Sequence, residues 1–215
     1  MIAKGHSKDM KGQIGRRGSW RTLWATLAVF AGLAAPWPLQ AAQPGKDGDA
    51  VITSANTIVN AVSALSQSAS AGDTFLRVTN LPALLPLSPG DLLLVSQAQG
   101  ANIDTSDSPS YGAITAINGA GQYEFVTVVS TQNPNRVYIV TSCGGLRNSY
   151  VASAGSQVVK VPQYRNLTVQ SGASITAPPW NGSEGGIVAL SVRDTLELNG
   201  TIDVSAKGFR GGAIH

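Results

Sequence analysis

The apolar residues of the stretch 185–212 (GGIVALSVRDTLELNGTIDVSAKGFRGG) keep one parity across two turn signals. Small, polar or charged residues occupy most positions between the apolar ones, which are Val188, Leu190, Val192, Leu196, Leu198, Ile202 and Val204. Because successive side chains of a strand point to opposite faces, this alternation indicates half-buried β structure. The even positions that interrupt the apolar series are Asp194 and Gly200, and the chain can bend at both.

Two folds compete for this stretch, and the parity distinguishes them. Asn199-Gly200 is a strong signal for a two-residue hairpin turn. A hairpin there would place the pair Leu196/Leu198 and the pair Ile202/Val204 on opposite faces of one ribbon, which no single core can cover. If the chain instead bends and continues, all of these residues stay inside. We therefore prefer the first coils of a right-handed parallel β-helix, with a hairpin-built sheet as the alternative.

A weak internal repeat supports the coils. The segment LTVQSGASIT (167–176) resembles LELNGTIDVS (196–205), with Leu167 and Leu196 at equivalent positions and a shift of one position within the copies. The spacing of the copies falls in the range of roughly 20–50 residues that solenoid repeats show. Such stacks need neighbouring coils or caps for stability.

The preceding residues predict an all-β domain over 51–163, sandwich- or barrel-like, joined by a polar Pro/Gly linker at 43–50. Ile52–Leu65 is ambiguous between helix and strand, and we prefer an extended segment. Frequent Gly, Pro, Asn and Asp turns then separate short strand candidates, which are Phe75–Thr79, Leu92–Ser96, Ala113–Ile117, Tyr123–Val129, Arg136–Thr141 and Gln157–Val161. The fold class predicted is all-β, with this domain followed by the coils of 164–215.

The N-terminal residues 1–42 have the order of a general secretory signal peptide. Six Lys and Arg residues precede the short apolar run Leu23–Ala35, and small residues follow at Ala41-Ala42. The run is shorter than the about 20 residues that a membrane span needs, although an uncleaved anchor is the alternative. We expect cleavage after Ala41 or Ala42, a secreted or outer-surface location, and no membrane association after cleavage.

Removal of the leader reverses the charge of the chain. The whole chain has a formal charge of +3, whereas residues 43–215 carry nine basic and eleven acidic residues. A nucleic-acid partner is therefore not expected.

Cys143 is the single cysteine, so no intramolecular disulfide can form. A buried small side chain is preferred for it over a nucleophile, because residues 43–215 contain no histidine except His215.

Several segments from residue 50 onward resemble the N-terminal region of large secreted bacterial surface proteins of the adventurous gliding motility type. The residues that carry the resemblance are NTIVN (56–60), PGDLLLVSQAQGANIDTSDSPSYG (89–112), GQYEFVTV (121–128), CGGL (143–146), QVVKVPQY (157–164), APPWNGSEGGIVAL (177–190) and LNGTIDVSAKGFRGG (198–212). The strand–Gly–strand run also resembles adhesin coils. The resemblance implies a continuation into repeat-containing surface regions, and we expect that a chain ending at His215 is truncated.

Candidate sites are few, and neither a catalytic residue nor a cofactor is predicted. Asp104 and Asp107 could offer carboxylates to Ca²⁺, with a solvated Asx-turn loop as the preferred alternative. Trp180 and Asn181 are candidate ligand contacts, because aromatic rings stack on sugars. A Trp that covers the seam between the β domain and the coils is preferred for Trp180. The carboxylates of Glu184, Asp194, Glu197 and Asp203 could serve a polysaccharide-degrading β-helix, but outward solvated charges are the preferred interpretation.

The function predicted from these patterns is a non-enzymatic exported surface module, adhesin-like or motility-associated. Its β domain would cap the first coil and so cover an unpaired strand edge. Surface polysaccharide or other cell-envelope components are the expected partners. A polysaccharide-binding or polysaccharide-degrading β-helix protein is the alternative.

Overall fold

The computed structural model describes residues 42–209. The signal peptide predicted for 1–42 lies outside these residues except for Ala42, and so do residues 210–215. The strands are β1 (Ala50–Ile52), β2 (Thr57–Ile58), β3 (Val62–Ala64), β4 (Phe75–Arg77), β5 (Leu92–Gln97), β6 (Asn102–Ile103), β7 (Ile114–Ala116), β8 (Tyr123–Gln132), β9 (Arg136–Val140), β10 (Ser156–Val161), β11 (Gln163–Val169), β12 (Ser174–Thr176), β13 (Ser191–Leu198) and β14 (Thr201–Ile202). Helical structure in this part of the chain is limited to α1 (Leu81–Leu84) and a 3-10 turn at Ala152–Ala154. No helix among residues 42–209 has the length and apolarity that a membrane crossing requires.

Three turns of chain stack as parallel coils. Coil 1 contains β1 and β2, coil 2 contains β11 and β12, and coil 3 contains β13 and β14. The first face is the parallel sheet β1-β11-β13, and the second face is the parallel sheet β2-β12-β14. A third face, formed by residues 59–61 of coil 1 and residues 187–190 of coil 2, closes the apolar interior.

The parity prediction is confirmed, and the hairpin alternative is wrong. β13 and β14 lie in different sheets and pair in parallel with β11 and β12, so the chain bends at Asn199-Gly200 and continues. Leu196 lies beside Leu167, as the weak internal repeat predicts. Val188, Leu190 and Val192 point into the coil interior with Leu167, Val169 and Ile175.

Six of the remaining strands form an antiparallel barrel. Its sheet has the order β3-β10-β5-β8-β9-β4, and a bridge between Leu65 and Val78 joins the last strand to the first. Alternate residues of each strand fill the interior, among them Leu76, Leu93, Val126, Val137 and Val158, all at most 1% exposed. The hairpin β6–β7 projects from this barrel. The all-β prediction is confirmed, and all six predicted strand segments are observed.

The barrel is inserted between coil 1 and coil 2. The chain leaves the coils after residues 59–61, builds the barrel from β3 to β10, and re-enters the coils at β11. β3 and β10 are neighbours in the barrel, with Val62 opposite Val159, and Lys160 N–H donates to Ala61 O at 2.8 Å. The two ends of the insertion therefore emerge side by side. Residue 50 of the predicted linker and residues 51–58 of the predicted β domain therefore belong to the coils.

Apolar contacts join the barrel to the third face of coil 2. The odd-numbered residues Ile187 and Ala189 turn away from the coil interior and pack on Leu94, Val159 and Val161, which point outward from the barrel. Strand alternation thus lets one extended segment serve two cores, with Val188 and Leu190 on its other face.

Buried amide side chains fasten the same junction. Asn60 accepts from Ala189 N–H at 3.1 Å and donates to the carbonyls of Ala189 and Lys160. Gln157 accepts from Gly185 N–H at 2.8 Å and donates to Gly185 O at 3.0 Å. Each side-chain amide forms the two hydrogen bonds that a peptide group of a neighbouring strand would form. The backbone groups of Ala189 and Gly185, which lack a strand partner, are satisfied in this way.

The stretch 43–49 is bonded to the start of β11. Asp47 N–H donates to Gln163 O at 2.9 Å, and Arg165 N–H donates to Gly48 O at 2.7 Å. Lys46 forms an ion pair with the buried carboxylate of Asp91 on the barrel. The Arg165 guanidinium bonds to Asp49 and lowers the pKa of that exposed carboxyl to about 2. The predicted linker thus contacts both the coils and the barrel.

Replacement of Gly200 by Ala tests the bend between β13 and β14. A Cβ there would lie 2.2 Å from Ala173 O and 2.5 Å from Gln170 O, both backbone atoms of the corner below. We expect Gly200→Ala to lower the free energy of unfolding by about 1–3 kcal/mol in urea titrations, the usual range for forced overpacking. Gly208→Ala is the matched control, because a Cβ at Gly208 meets nothing within 4 Å, and it should stay near the parent. Equal stability of both variants would contradict the observed corner.

Candidate functional site

Coil 3 exposes residues whose equivalents are buried in the coils beneath it. Ile52, Val169 and Leu198 lie in register across the three coils and are 8%, 0% and 48% exposed. Leu196, Ile202 and Val204 are likewise 45%, 39% and 41% exposed, although they continue the same interior face. Among the described strands, β13 and β14 each pair on one side only. Together these residues and strand edges form the open coil edge.

An apolar groove of about 840 Å³ adjoins the open coil edge. Val188, Leu190, Ile202 and Val204 of the coil interior line one side. Leu94, Tyr123 and Phe125 on the outer face of the barrel line the other, and Ile187, Ala189, Trp180 and Phe209 complete the lining. The groove lies where the third face stops, because residues 187–190 cover Leu94 but leave Phe125 on the next strand 51% exposed.

Trp180 lies at one end of this groove. Its ring packs edge-on against Phe209 at 5.5 Å between centroids, and its backbone N–H donates to Lys207 O at 2.8 Å. The space beside Gly155 in the barrel is also occupied by the Trp180 ring, since a Cβ on Gly155 would lie 3.0 Å from it. Trp180 therefore bridges coil 2, coil 3 and the barrel, as the seam interpretation predicts, while its partly exposed ring still lines the groove.

Asn181, the other candidate contact, is used by its own turn. Its Oδ1 accepts from the backbone N–H groups of Ser183 and Glu184, both at 3.0 Å. The turn holds Glu184 so that its carboxylate accepts from Ala64 N–H of β3. Asn181 thus orders the loop that joins β12 to the third face.

Asp104 and Asp107 lie in the loop of the β6–β7 hairpin, and neither is among the residues that line the groove. Asp104 Oδ1 accepts from Ser106 N–H at 2.9 Å and Ser106 Oγ–H at 2.6 Å, and these bonds lower the pKa of its carboxyl. This arrangement is an Asx turn. Residues 42–209 contain no group of three or more His, Cys, Asp or Glu side chains placed to hold a metal ion.

The four coil carboxylates each have local partners. Glu184 bonds to the barrel, and Asp194 forms an ion pair with its neighbour Arg193, which lowers the pKa of Asp194. Glu197 accepts from Asn199 Nδ2 at 3.0 Å and from Thr168 Oγ1 at 3.4 Å, and Asp203 accepts from Ser205 N–H. Each of these four carboxylates is thus held by a partner within its own loop, strand or junction. Cys143 is exposed, contrary to the preferred buried position.

The residues that shape this region were only partly visible in the sequence. Tyr123 and Phe125 alternate with the inward-facing Glu124 and Val126, so their outward position follows from strand parity. Asn60 and Gln157 gave no such signal, because a polar residue in a turn-rich β sequence is ordinarily solvent-facing. Their role depends on a segment that is distant from both of them along the chain.

Comparison with known proteins finds similarity to solved structures alone. No family model matches the chain, and no curated protein matches it. Two solved structures that align with it are tailspikes of Pseudomonas phages. For gp61 of phage phi297, the identity is 13%, the coverage is 76% of this chain and 22% of the tailspike, and the TM-score is 0.32. For gp49 of phage LKA1, the identity is 17%, the coverage is 62% of this chain and 27% of the tailspike, and the TM-score is 0.31. The chain thus spans about a quarter of each tailspike.

The strand pairing itself defines the class of protein. Parallel coils that share one apolar interior form the start of a β-helix, and an antiparallel barrel is inserted between its first two coils. The described residues offer an apolar groove and an open coil edge, together with locally bonded carboxylates.

Proposed function

We propose that this chain is a non-enzymatic, exported module of the bacterial cell surface that caps and initiates a longer β-helical stack. The observation that carries the proposal is the exposure of coil 3, where Leu198 is 48% exposed while its register partners Val169 and Ile52 are 0% and 8% exposed. Interior aliphatic residues beside an unpaired strand edge are a template for another coil. The barrel packs on the third face of coil 2 and lines the groove beside that edge through Tyr123 and Phe125.

The surface context of this proposal rests on the sequence. The leader has the pattern of a general secretory signal, and the residues from 50 onward resemble surface proteins of the gliding motility type. Large β-helical surface proteins are elongated, so their first coils need a unit that fixes the register. Cell-envelope components are the partner class proposed, and the locally bonded carboxylates favour a structural role over a catalytic one.

Labelling of Cys143 tests the location. The thiol is exposed and is the chain's single cysteine, so a membrane-impermeant maleimide reports directly on its access. For the full chain produced in bacteria, we expect labelling on intact cells or in the medium, on a species whose intact mass lacks residues 1–41 or 1–42. Cys143→Ser controls for labelling of other groups. Labelling that requires cell lysis, on a chain of full mass, would contradict export.

A polysaccharide-binding protein is the second candidate, and the exposed aromatic pair Tyr123 and Phe125 favours it. The two rings pack edge-to-face at 6.3 Å on the barrel side of the groove. Aromatic faces in a groove can stack on sugar rings.

Binding and degradation assays with bacterial polysaccharides separate the two candidates. If the chain is a structural module, we expect no release of reducing ends from the polysaccharides. We also expect no glycan affinity that depends on Tyr123 and Phe125. The matched control for the double variant Tyr123→Ala/Phe125→Ala is Val129→Ala, which removes an exposed side chain from the same strand. Affinity that falls at least tenfold in the double variant but not in the control would establish the second candidate.

A further inference from the structure

A second pocket lies where one strand of the barrel loses its neighbour. β8 begins at Tyr123, but its pairing with β9 begins only at Thr127, opposite Val140. Within residues 42–209, the stretch 123–126 therefore has no strand partner on that side, and the loop 141–148 forms the opposite wall. The space between them, which we call the polar pocket, has a volume of about 380 Å³. Its lining includes Tyr123, Glu124, Phe125, Ser142, Arg147 and Asn148.

The carboxylate of Glu124 holds the wall of the polar pocket in place. Its two oxygens accept from Arg147 N–H at 2.9 Å and from Asn148 N–H at 3.0 Å, and the residue is only 6% exposed. A carboxylate offers about four lone-pair sites, so Glu124 can accept further hydrogen bonds from a ligand. The same two bonds fix the backbone that carries the Arg147 and Asn148 side chains along the pocket.

The charges in the polar pocket select against a charged ligand. Arg147 is exposed, and none of the ion pairs among residues 42–209 includes it. An anion would gain from Arg147 but would meet Glu124, and a cation would meet the opposite conflict. A hydroxyl group suits both, because it can donate to the carboxylate and accept from the guanidinium or from the Asn148 amide. The lining therefore favours an uncharged ligand that is rich in hydroxyl groups.

The aromatic pair supplies an apolar surface beside these polar groups. Tyr123 and Phe125 line the polar pocket as well as the groove, and they are 64% and 51% exposed. A pyranose ring carries C–H groups on its faces and hydroxyl groups around its edge. It can therefore pack one face on an aromatic ring while its edge bonds to the opposite wall.

We propose that the polar pocket binds one uncharged hexose unit of a polysaccharide. The hydroxyl groups bond to Glu124, Arg147 and Asn148, and the ring packs against Tyr123 or Phe125. The volume falls within the range of roughly 300–1,000 Å³ that small-ligand pockets show. This assignment rests on the polysaccharide-binding candidate function, and it places the sugar on the β9 side of the aromatic pair, outside the apolar groove.

Backbone amide shifts in NMR spectra of the full chain locate the sugar. The probes are the methyl glycosides of glucose, galactose, mannose and N-acetylglucosamine. We expect saturable shifts at Arg147 and Asn148 with at least one of them, and binding of its uronic-acid and amino-sugar counterparts that is weaker by about threefold or more. No saturable shift with any probe, or a charged sugar bound as tightly as the neutral one, would overturn the proposal. So would shifts at Val188 and Leu190 of the groove without shifts at Arg147.

Two substitutions on the wall of the polar pocket give the second readout. Ser142→Trp fills the pocket, and Arg147→Ala removes a hydrogen-bond donor; both residues are exposed, so the unfolding midpoint should stay at the parent level. We expect the Kd of the tightest probe to rise by about tenfold or more in the first variant and by about threefold or more in the second. Thr105→Trp and Arg193→Ala are the matched controls outside both pockets, and they should leave the Kd unchanged.

The aromatic double variant separates this proposal from the candidate function on which it rests. Polysaccharide affinity that is lost in Tyr123→Ala/Phe125→Ala but unchanged in Ser142→Trp and Arg147→Ala would overturn the polar pocket and leave the polysaccharide-binding candidate standing. Loss of affinity in all of these variants, with the controls unchanged, is the result expected.

Discussion

The antiparallel pairing of β3 with β10 is the interaction on which the rest of this structure depends. Val62 opposite Val159 and the bond from Lys160 to Ala61 place the entry and exit of the barrel side by side. Without the barrel, stacking coil 1 on coil 2 would require closure of a very long loop, at a corresponding cost in chain entropy. The folded barrel removes that cost, because it delivers β1 and β2 beside β11 and β12. A parallel stack, ordinarily slow to nucleate, thereby acquires a preformed starting register.

The junction between the barrel and the coils makes the two sides of the segment 187–190 different. Residues 187–190 are shared between two apolar cores. Asn60 of coil 1 bonds to the backbone of Ala189, and Gln157 of the barrel bonds to the backbone of Gly185, just before this segment. The buried contacts of this segment are with coil 1, with its own coil and with the barrel, so the groups that remain face coil 3. The same asymmetry appears in the interior, where burial is complete at Val169 and incomplete at Leu198. Among residues 42–209, the side of the stack formed by coil 3 therefore combines exposed interior aliphatic residues with strand edges that can still pair.

Local patterns in the sequence predicted the strands and the coils, and long-range contacts account for what they missed. The parity of residues 188–204 depends only on strand alternation, so it identified the bend at Gly200 correctly. The insertion of the barrel could not be predicted this way, because β1 is too short to show that its partner is β11, across the whole barrel. At the site, Trp180 was a candidate sugar contact with a seam position as the preferred interpretation, and its ring packs against both Phe209 and the barrel at Gly155. The roles of Asn60 and Gln157 depend on pairing across the junction, which has no local signature.

Thiol crosslinking along one row of the first face measures the inserted arrangement directly. Val51, Thr168 and Glu197 lie in register on β1, β11 and β13, with neighbouring strands about 4.8 Å apart. In a Cys143→Ser background, the account predicts that the pair Val51→Cys/Thr168→Cys is bridged efficiently by the short crosslinker dibromobimane. The pair Val51→Cys/Glu197→Cys, two strands apart, should remain unbridged. Failure of the first pair to react, or equal reaction of the second, would contradict the insertion of the barrel between coil 1 and coil 2.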